Sequence, residues 1–188
     1  DVELTTVNFD DGMPRDVNFQ TVIFNEGRWV GANQSAIVAV AVEGPVEKAA
    51  PRYDADRDWV VDPGDSQQVV QVKLVAPTPH SGVIARFQDE DNYFAVLTDQ
   101  TMTHVELVEV RDGEATTRGF VDKVVTPGTV VGLVGVGNEV TISIDGEPQV
   151  MTTFFGSQTG VSNNGLNASG IGMLAGSGQP VFDDLQFG

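Results

Sequence analysis

The 188 residues include 27 acidic and 10 basic side chains, for a net charge of −17, with two histidines and no cysteine. That length suits one domain with a sizeable core, and the lack of cysteine excludes disulfides, thiolate metal sites and cysteine nucleophiles. The charge excludes nucleic acid and anionic membrane surfaces as natural partners, and no run approaches the roughly 20 apolar residues of a membrane helix. No signal-peptide pattern opens the chain. Its start at Asp1 rather than Met sets the expectation of a processed or excised chain, extracellular, on a cell surface or in a virion.

Taken in chain order, the hydrophobic rhythm has period two almost everywhere. The stretches 36–44 (AIVAVAVEG), 67–77 (QQVVQVKLVAP), 82–88 (GVIARFQ) and 92–98 (NYFAVLT) read as strands. So do 104–110 (HVELVEV), 129–137 (TVVGLVGVG) and 139–145 (EVTISID). Turn signals separate them at Pro63-Gly64, Asp112-Gly113, Pro127-Gly128 and Asp145-Gly146. Asp112-Gly113 and Asp145-Gly146 tolerate the positive φ angles of a tight hairpin. Pro148 donates no ladder hydrogen bond, so its strand starts there or lies at an edge. Val140, Ile142 and Ile144 share one face, and Val83, Ala85 and Phe87 oppose Ile84 and Arg86, so Arg86 is expected off the core. The Gly/Ser/Asn-rich stretch 156–172 reads as a long surface loop, and Asn167-Ala168-Ser169 within it fits a glycosylation acceptor. No helical periodicity of useful length is present. Short strands with regular turns predict an all-β sandwich of two antiparallel sheets or a barrel, one domain spanning 1–188.

Acidic clusters invite a test for metal. In RYDADRDWVVDPGD (52–65), Asp54, Asp56 and Asp58 stand two apart, and Asp65 falls where a twelve-residue calcium loop ends. Such a loop wants glycine at its sixth position, where Trp59 stands. A solvated loop end is the reading kept. The terminal pair is the better candidate. NFDDG (8–12) and FDDLQF (182–187) each place two carboxylates after an aromatic residue. First and last strands of a sandwich commonly meet, so Asp10, Asp11, Asp183 and Asp184 are the expected ligands of a structural Ca²⁺, with backbone carbonyls or water completing the shell. His80, in a loop, and His104, opening a strand, are surface residues without a nucleophile motif or a transition-metal pattern.

With the strands placed, GVIARFQDEDNYFAVLTD, HVELVEVRDGE, TPGTVVGLVGVGNEVTISIDGEPQV and SGIGMLAGSGQPVFDDLQF resemble, in that order, the laminin-G-like, concanavalin A-like lectin/glucanase domains. The match covers about residues 82–187. VNFDDG and GRWV look like the entry strands of the first half. Val130 departs from the pattern, standing where the family usually has an aromatic residue. The resemblance implies a concanavalin A-like jelly roll and makes DWVVD a strand. It also brings glycoside hydrolysis into question. The family's glucanases carry Glu-x-Asp-x-Glu or a close variant on one strand, whereas Glu106 and Glu109 fall on opposite faces and Glu109, Asp112 and Glu114 straddle a turn. Two carboxyl groups about 5–5.5 Å apart are required for retention, so no enzyme is expected.

Two functions remain open. One is a non-catalytic recognition or adhesion module that binds glycan. The other is a structural or cementing protein of a virion or cell-surface assembly, in contact only with protein copies. Sugar sites combine an aromatic face with planar polar groups. Near Tyr93 and Phe94 those groups are Arg86, Gln88 and Asn92, so the expected carbohydrate-binding residues are Arg86, Gln88, Asn92 and Tyr93. Trp29, Trp59 and Tyr53 are further aromatic candidates for contact.

Overall fold

The structure is a computed structural model that describes residues 5–7, 22–25, 28–31, 36–40, 67–89, 91–166, 168, 170–178 and 180–188. In chain order the strands are β1 (Thr5–Val7), β2 (Val22–Asn25), β3 (Arg28–Gly31), β4 (Ala36–Val40), β5 (Gln67–Ala76), β6 (Gly82–Asp89), β7 (Asn92–Thr98), β8 (His104–Arg111) and β9 (Glu114–Asp122). They continue with β10 (Thr129–Val136), β11 (Glu139–Ile144), β12 (Glu147–Pro148), β13 (Met151–Thr153), β14 (Gly156–Gln158), β15 (Val161–Ser162), β16 (Gly170–Ala175) and β17 (Val181–Phe187). Among the described residues there is no helix.

Two antiparallel sheets form the sandwich. One runs β12-β11-β10-β5-β17-β3-β2, with β1 added on β17 and β15 on β11; the other runs β14-β13-β9-β8-β7-β6-β16-β4. First and last strands meet as expected, with Val7 opposite Leu185. Both Asp-Gly hairpins form with the anticipated positive φ, 51° and 80° at Asp112 and Gly113, 51° and 86° at Asp145 and Gly146. Pro148 lies in two-residue β12 at the edge of its sheet, where a missing N–H costs no ladder bond. The stretch 156–172 is not one loop. It contributes β14, β15 and the start of β16, because Val161 pairs with Val140 and Gly156 with Thr153.

Alternation fills the space between the sheets. Val70, Val72, Leu74, Val131, Leu133, Ile142, Phe182 and Phe187 from one sheet meet Val83, Ala85, Phe94, Val96, Val105, Leu107 and Met173 from the other, all 0–1% exposed. The alternate positions of the second sheet are also apolar. Ile84, Tyr93, Ala95, Val110 and Leu174 form a second buried cluster, with Phe87, Leu97 and Val108 packed against it. Strands β6 and β7 therefore bury both faces, and the expected polar face is absent there.

The second cluster includes a correction. Phe87 was expected beside Val83 and Ala85, with Arg86 opposite. Instead Arg86 adopts φ 52°, and Ala85 and Arg86 together stand against Ile171, between the pairs Ile84–Gly172 and Phe87–Gly170. This is a β-bulge, which inserts one residue and resets the alternation. Phe87 moves to the outer cluster. Arg86 turns between the sheets, where it is 4% exposed.

Candidate functional site

The residues singled out from the sequence do not converge on one surface. Arg86 packs over Gly135 of β10 in the opposite sheet; a Cβ built there would stand 2.6 Å from Nη2. Nη2 donates a long hydrogen bond, 3.4 Å, to the Gly137 carbonyl, and Nε has no partner. Burial lowers the guanidinium pKa from its ordinary value. The expectation that Arg86 lies off the core is overturned by the bulge. Tyr93 belongs to the outer apolar cluster, its ring 5.9 Å from that of Phe87, and burial pushes its pKa up. Gln88 is exposed. Asn92 braces a turn, donating to Asp89 Oδ1 at 2.9 Å and accepting from the Asp112 amide at 3.2 Å.

Of the proposed calcium ligands, Asp10 and Asp11 lie outside the described residues, as do Asp54, Asp56, Asp58 and Asp65 of the acidic stretch and the DWVVD strand. Asp183 accepts a hydrogen bond from the Asp184 amide at 2.9 Å. Asp184 sits at φ 48° where the β17 register shifts, and its carboxylate pairs with Lys73. A cation bound there would compete with that ammonium. Among the described residues no group of three His, Asp or Glu is placed to hold a metal. His80 hydrogen-bonds Gln100, and His104 pairs with Asp122 at 2.9 Å, both at the surface.

A different place combines aromatic and polar groups. The β13–β14 hairpin turns through Phe154-Phe155, with Thr153 opposite Gly156. Thr153 Oγ1 accepts from the Phe155 amide at 3.2 Å and donates to the Gly156 carbonyl at 2.9 Å, and Gly156 supplies φ 107°. A small hydroxyl residue before a two-residue turn and a glycine after it are what such a loop needs. Phe154 is 94% and Phe155 84% exposed, their rings edge to face with centroids 5.2 Å apart.

Beneath this turn lies a groove of about 380 Å³ between the edges of the two sheets. Thr116, Thr117 and Arg118 of β9 form one wall, Glu139, Val161 and Ser162 another, and Thr153 and Gln158 of the hairpin the third. Arg118 stands where the β8–β9 register shifts. Its Nη1 lies 3.1 Å from Glu109 Oε1. Glu109, 8% exposed, also accepts from Asn164 Nδ2 at 3.0 Å and lies 3.6 Å from Arg111 Nη2. Arg111 in turn donates to the carbonyls of Asn163 and Asn164 at 3.3 Å. One buried carboxylate thus holds Arg118 in the groove wall and anchors the loop that follows Ser162.

The edge of β9 adds backbone groups. The two-residue turn makes Arg111–Glu114 and Glu109–Thr116 the hydrogen-bonded pairs of the β8–β9 ladder, so the N–H and C=O of Ala115 and Thr117 point away from β8. Among the described residues β13 joins β9 only at Phe120, leaving that edge open at the groove.

Phe154 and Phe155 are not among the contacts expected from the sequence. Their signal was Thr-Thr-Phe-Phe-Gly-Ser, two adjacent aromatics inside turn chemistry, which cannot both enter one core face.

No family model matches the chain, and no curated protein matches it in sequence. Solved structures do. The carbohydrate-binding module CBM66 from Bacillus subtilis superposes with a TM-score of 0.60 at 11% identity, over 97% of this chain and 94% of that one. A crystal structure described as a native glycosidic hydrolase gives 0.59 at 10% identity, over 100% and 96%. A mutant form of the GH43 protein BlXynB from Bacillus licheniformis gives 0.59 at 13% identity, over 97% of this chain and 38% of that one. The chain therefore spans well under half of the last protein. These likenesses show a shared fold, an all-β sandwich of two antiparallel sheets.

Proposed function

We propose that the protein is a non-catalytic glycan-binding module whose ligand lies in the groove beneath Phe154 and Phe155. The exposed aromatic pair carries the reading. Two phenylalanines held in water gain nothing for the fold, but an aromatic face beside hydroxyl, amide and guanidinium groups is how proteins bind a sugar ring. The likeness to a carbohydrate-binding module supports the same reading. Catalysis finds less support. Glycoside hydrolysis needs two carboxyl groups flanking the scissile bond. Among the described residues lining the groove Glu139 is the one carboxylate, and Glu109 behind it is engaged by Arg118, Arg111 and Asn164. The test is binding on a broad glycan array, repeated with a Phe154→Ala/Phe155→Ala variant. Binding that survives the double substitution, or hydrolysis of any bound glycan, rules the reading out.

A second reading, a structural module that joins copies of itself, has one observation in its favour. Glu114-Ala115-Thr116-Thr117-Arg118 along the open edge of β9 is self-complementary. An antiparallel copy centred on Thr116 sets Ala115 opposite Thr117 and Glu114 opposite Arg118, with the outward backbone groups facing each other. Sedimentation would reveal a dimer dissociated by Thr117→Pro, which removes one outward N–H. A monomer at all concentrations discards this reading.

A further inference from the structure

The groove's charge distribution specifies the chemistry of its ligand, given the glycan reading on which this rests. We infer that the groove takes uncharged, hydroxyl-rich glycans and discriminates against those bearing carboxylate or sulfate groups. Among the described groove-lining residues Arg118 is the one cation. It already faces the Glu109 carboxylate at 3.1 Å, and that carboxylate is buried, so the pair is fixed rather than available for exchange with a ligand anion. Glu139 stands on the facing wall as an exposed carboxylate. Arg111, Arg118, Glu109 and Glu139 together sum to no net charge, on a molecule whose total is −17.

An anionic sugar entering this groove would lose hydration without meeting an unpaired cation, and would approach against the field of the whole surface. The negative faces of the phenylalanine rings are equally unsuited to an anion. The remaining groups fit hydroxyls. Thr116 and Thr117 both donate and accept, Ser162 keeps its O–H to donate while its oxygen accepts from the Asn164 amide, Gln158 offers an amide, and the outward N–H and C=O of Thr117 offer one donor and one acceptor. Arg118 keeps further N–H groups beyond those facing Glu109, and hydroxyl oxygens can accept them.

The experiment compares two panels of polymers by affinity electrophoresis and calorimetry. The neutral panel comprises β-glucan, mannan, arabinan and fructan; the anionic panel comprises polygalacturonate, alginate and heparin. The expected result is binding to at least one neutral polymer about tenfold or more tighter than to any polyanion. Raising salt from about 10 mM to about 300 mM should change that neutral affinity less than about twofold, because no ion pair forms with the ligand. Glu139→Lys should raise the ratio of polyanion to neutral affinity. A wild-type protein that binds a polyanion best, with loss in the Phe154→Ala/Phe155→Ala variant, overturns the charge inference and leaves the glycan groove standing. Binding to neither panel overturns both.

Discussion

Arg86 and the Phe154–Phe155 turn invert the usual placement of side chains in opposite senses. One is a guanidinium between two sheets, 4% exposed, and the other a pair of benzyl groups almost wholly in water. Both depend on local backbone geometry rather than on composition. A bulge with φ 52° rotates Arg86 inward, and a Thr-Phe-Phe-Gly turn forces both rings outward. The interior case is accommodated by removing a side chain from the facing strand, at Gly135, and by one long hydrogen bond to Gly137. Among the described residues nothing accommodates the exterior case. Burying such a side chain would stabilise by about 1.5–3 kcal/mol, a gain the folded chain forgoes twice here. An inverted residue that the fold compensates is structural; one left uncompensated is the candidate for a binding surface.

The comparison breaks most directly at Gly135. Gly135→Ala should cost about 2 kcal/mol, measured by urea denaturation, because the guanidinium it meets ends a flexible side chain that can give way in part but is confined between the sheets. An effect below about 0.5 kcal/mol would show that Arg86 does not fill this space. The exterior test comes next. Phe154→Ala/Phe155→Ala should lower glycan affinity about 30-fold, an effect of about 2 kcal/mol. Its unfolding free energy should shift less than about 0.5 kcal/mol, because neither ring is buried.

The interior half sharpens with Arg86→Met. Alone it should be neutral or stabilising by about 1 kcal/mol, since a poorly paired buried cation is replaced by an apolar chain. Combined with Gly135→Ala it should restore about 1–2 kcal/mol, the coupling expected of residues in contact. Strict additivity would mean the two positions do not touch.

The smallest effect concerns a charge that is fully served. Burial alone pushes the Asp99 carboxyl pKa up, but hydrogen bonds from the Thr101 hydroxyl and the amides of His104, Thr101 and Thr103 outweigh it and hold the pKa well below the carboxylate range. Because the folded-state value is depressed, this contribution is complete above the unfolded pKa of about 4 and is lost as pH falls through the folded value. Asp99→Asn should flatten the acid limb of the stability–pH profile and cost about 0.5–1 kcal/mol near neutrality, a modest figure because the site is solvent-screened. An unchanged acid limb would contradict it.

What was readable beforehand divides along the range of the interactions involved. β5 to β11, their Asp-Gly turns and the edge position of Pro148 follow from period-two alternation and local turn chemistry, both properties of neighbouring residues; the meeting of the terminal strands follows from how a sandwich closes. Arg86 escaped because one inserted residue reverses the facing of everything after it, and a bulge has no fixed sequence signature. The expected sugar contacts failed to assemble for the same reason: the alternation that was to expose Arg86 beside Gln88, Asn92 and Tyr93 is broken at Arg86 itself.

The sequence alone determined a two-sheet sandwich, because alternating apolar residues leave each strand a face that must be covered by another layer. Only the tertiary structure decided which residues share the groove. Arg118, Glu139, Phe154 and Ser162 come from four strands or turns, and what joins them is the divergence of β9 from β13 at the edge where the sheets part. Strand order and edge geometry arise from pairings across the whole chain, so no local pattern could announce that groove.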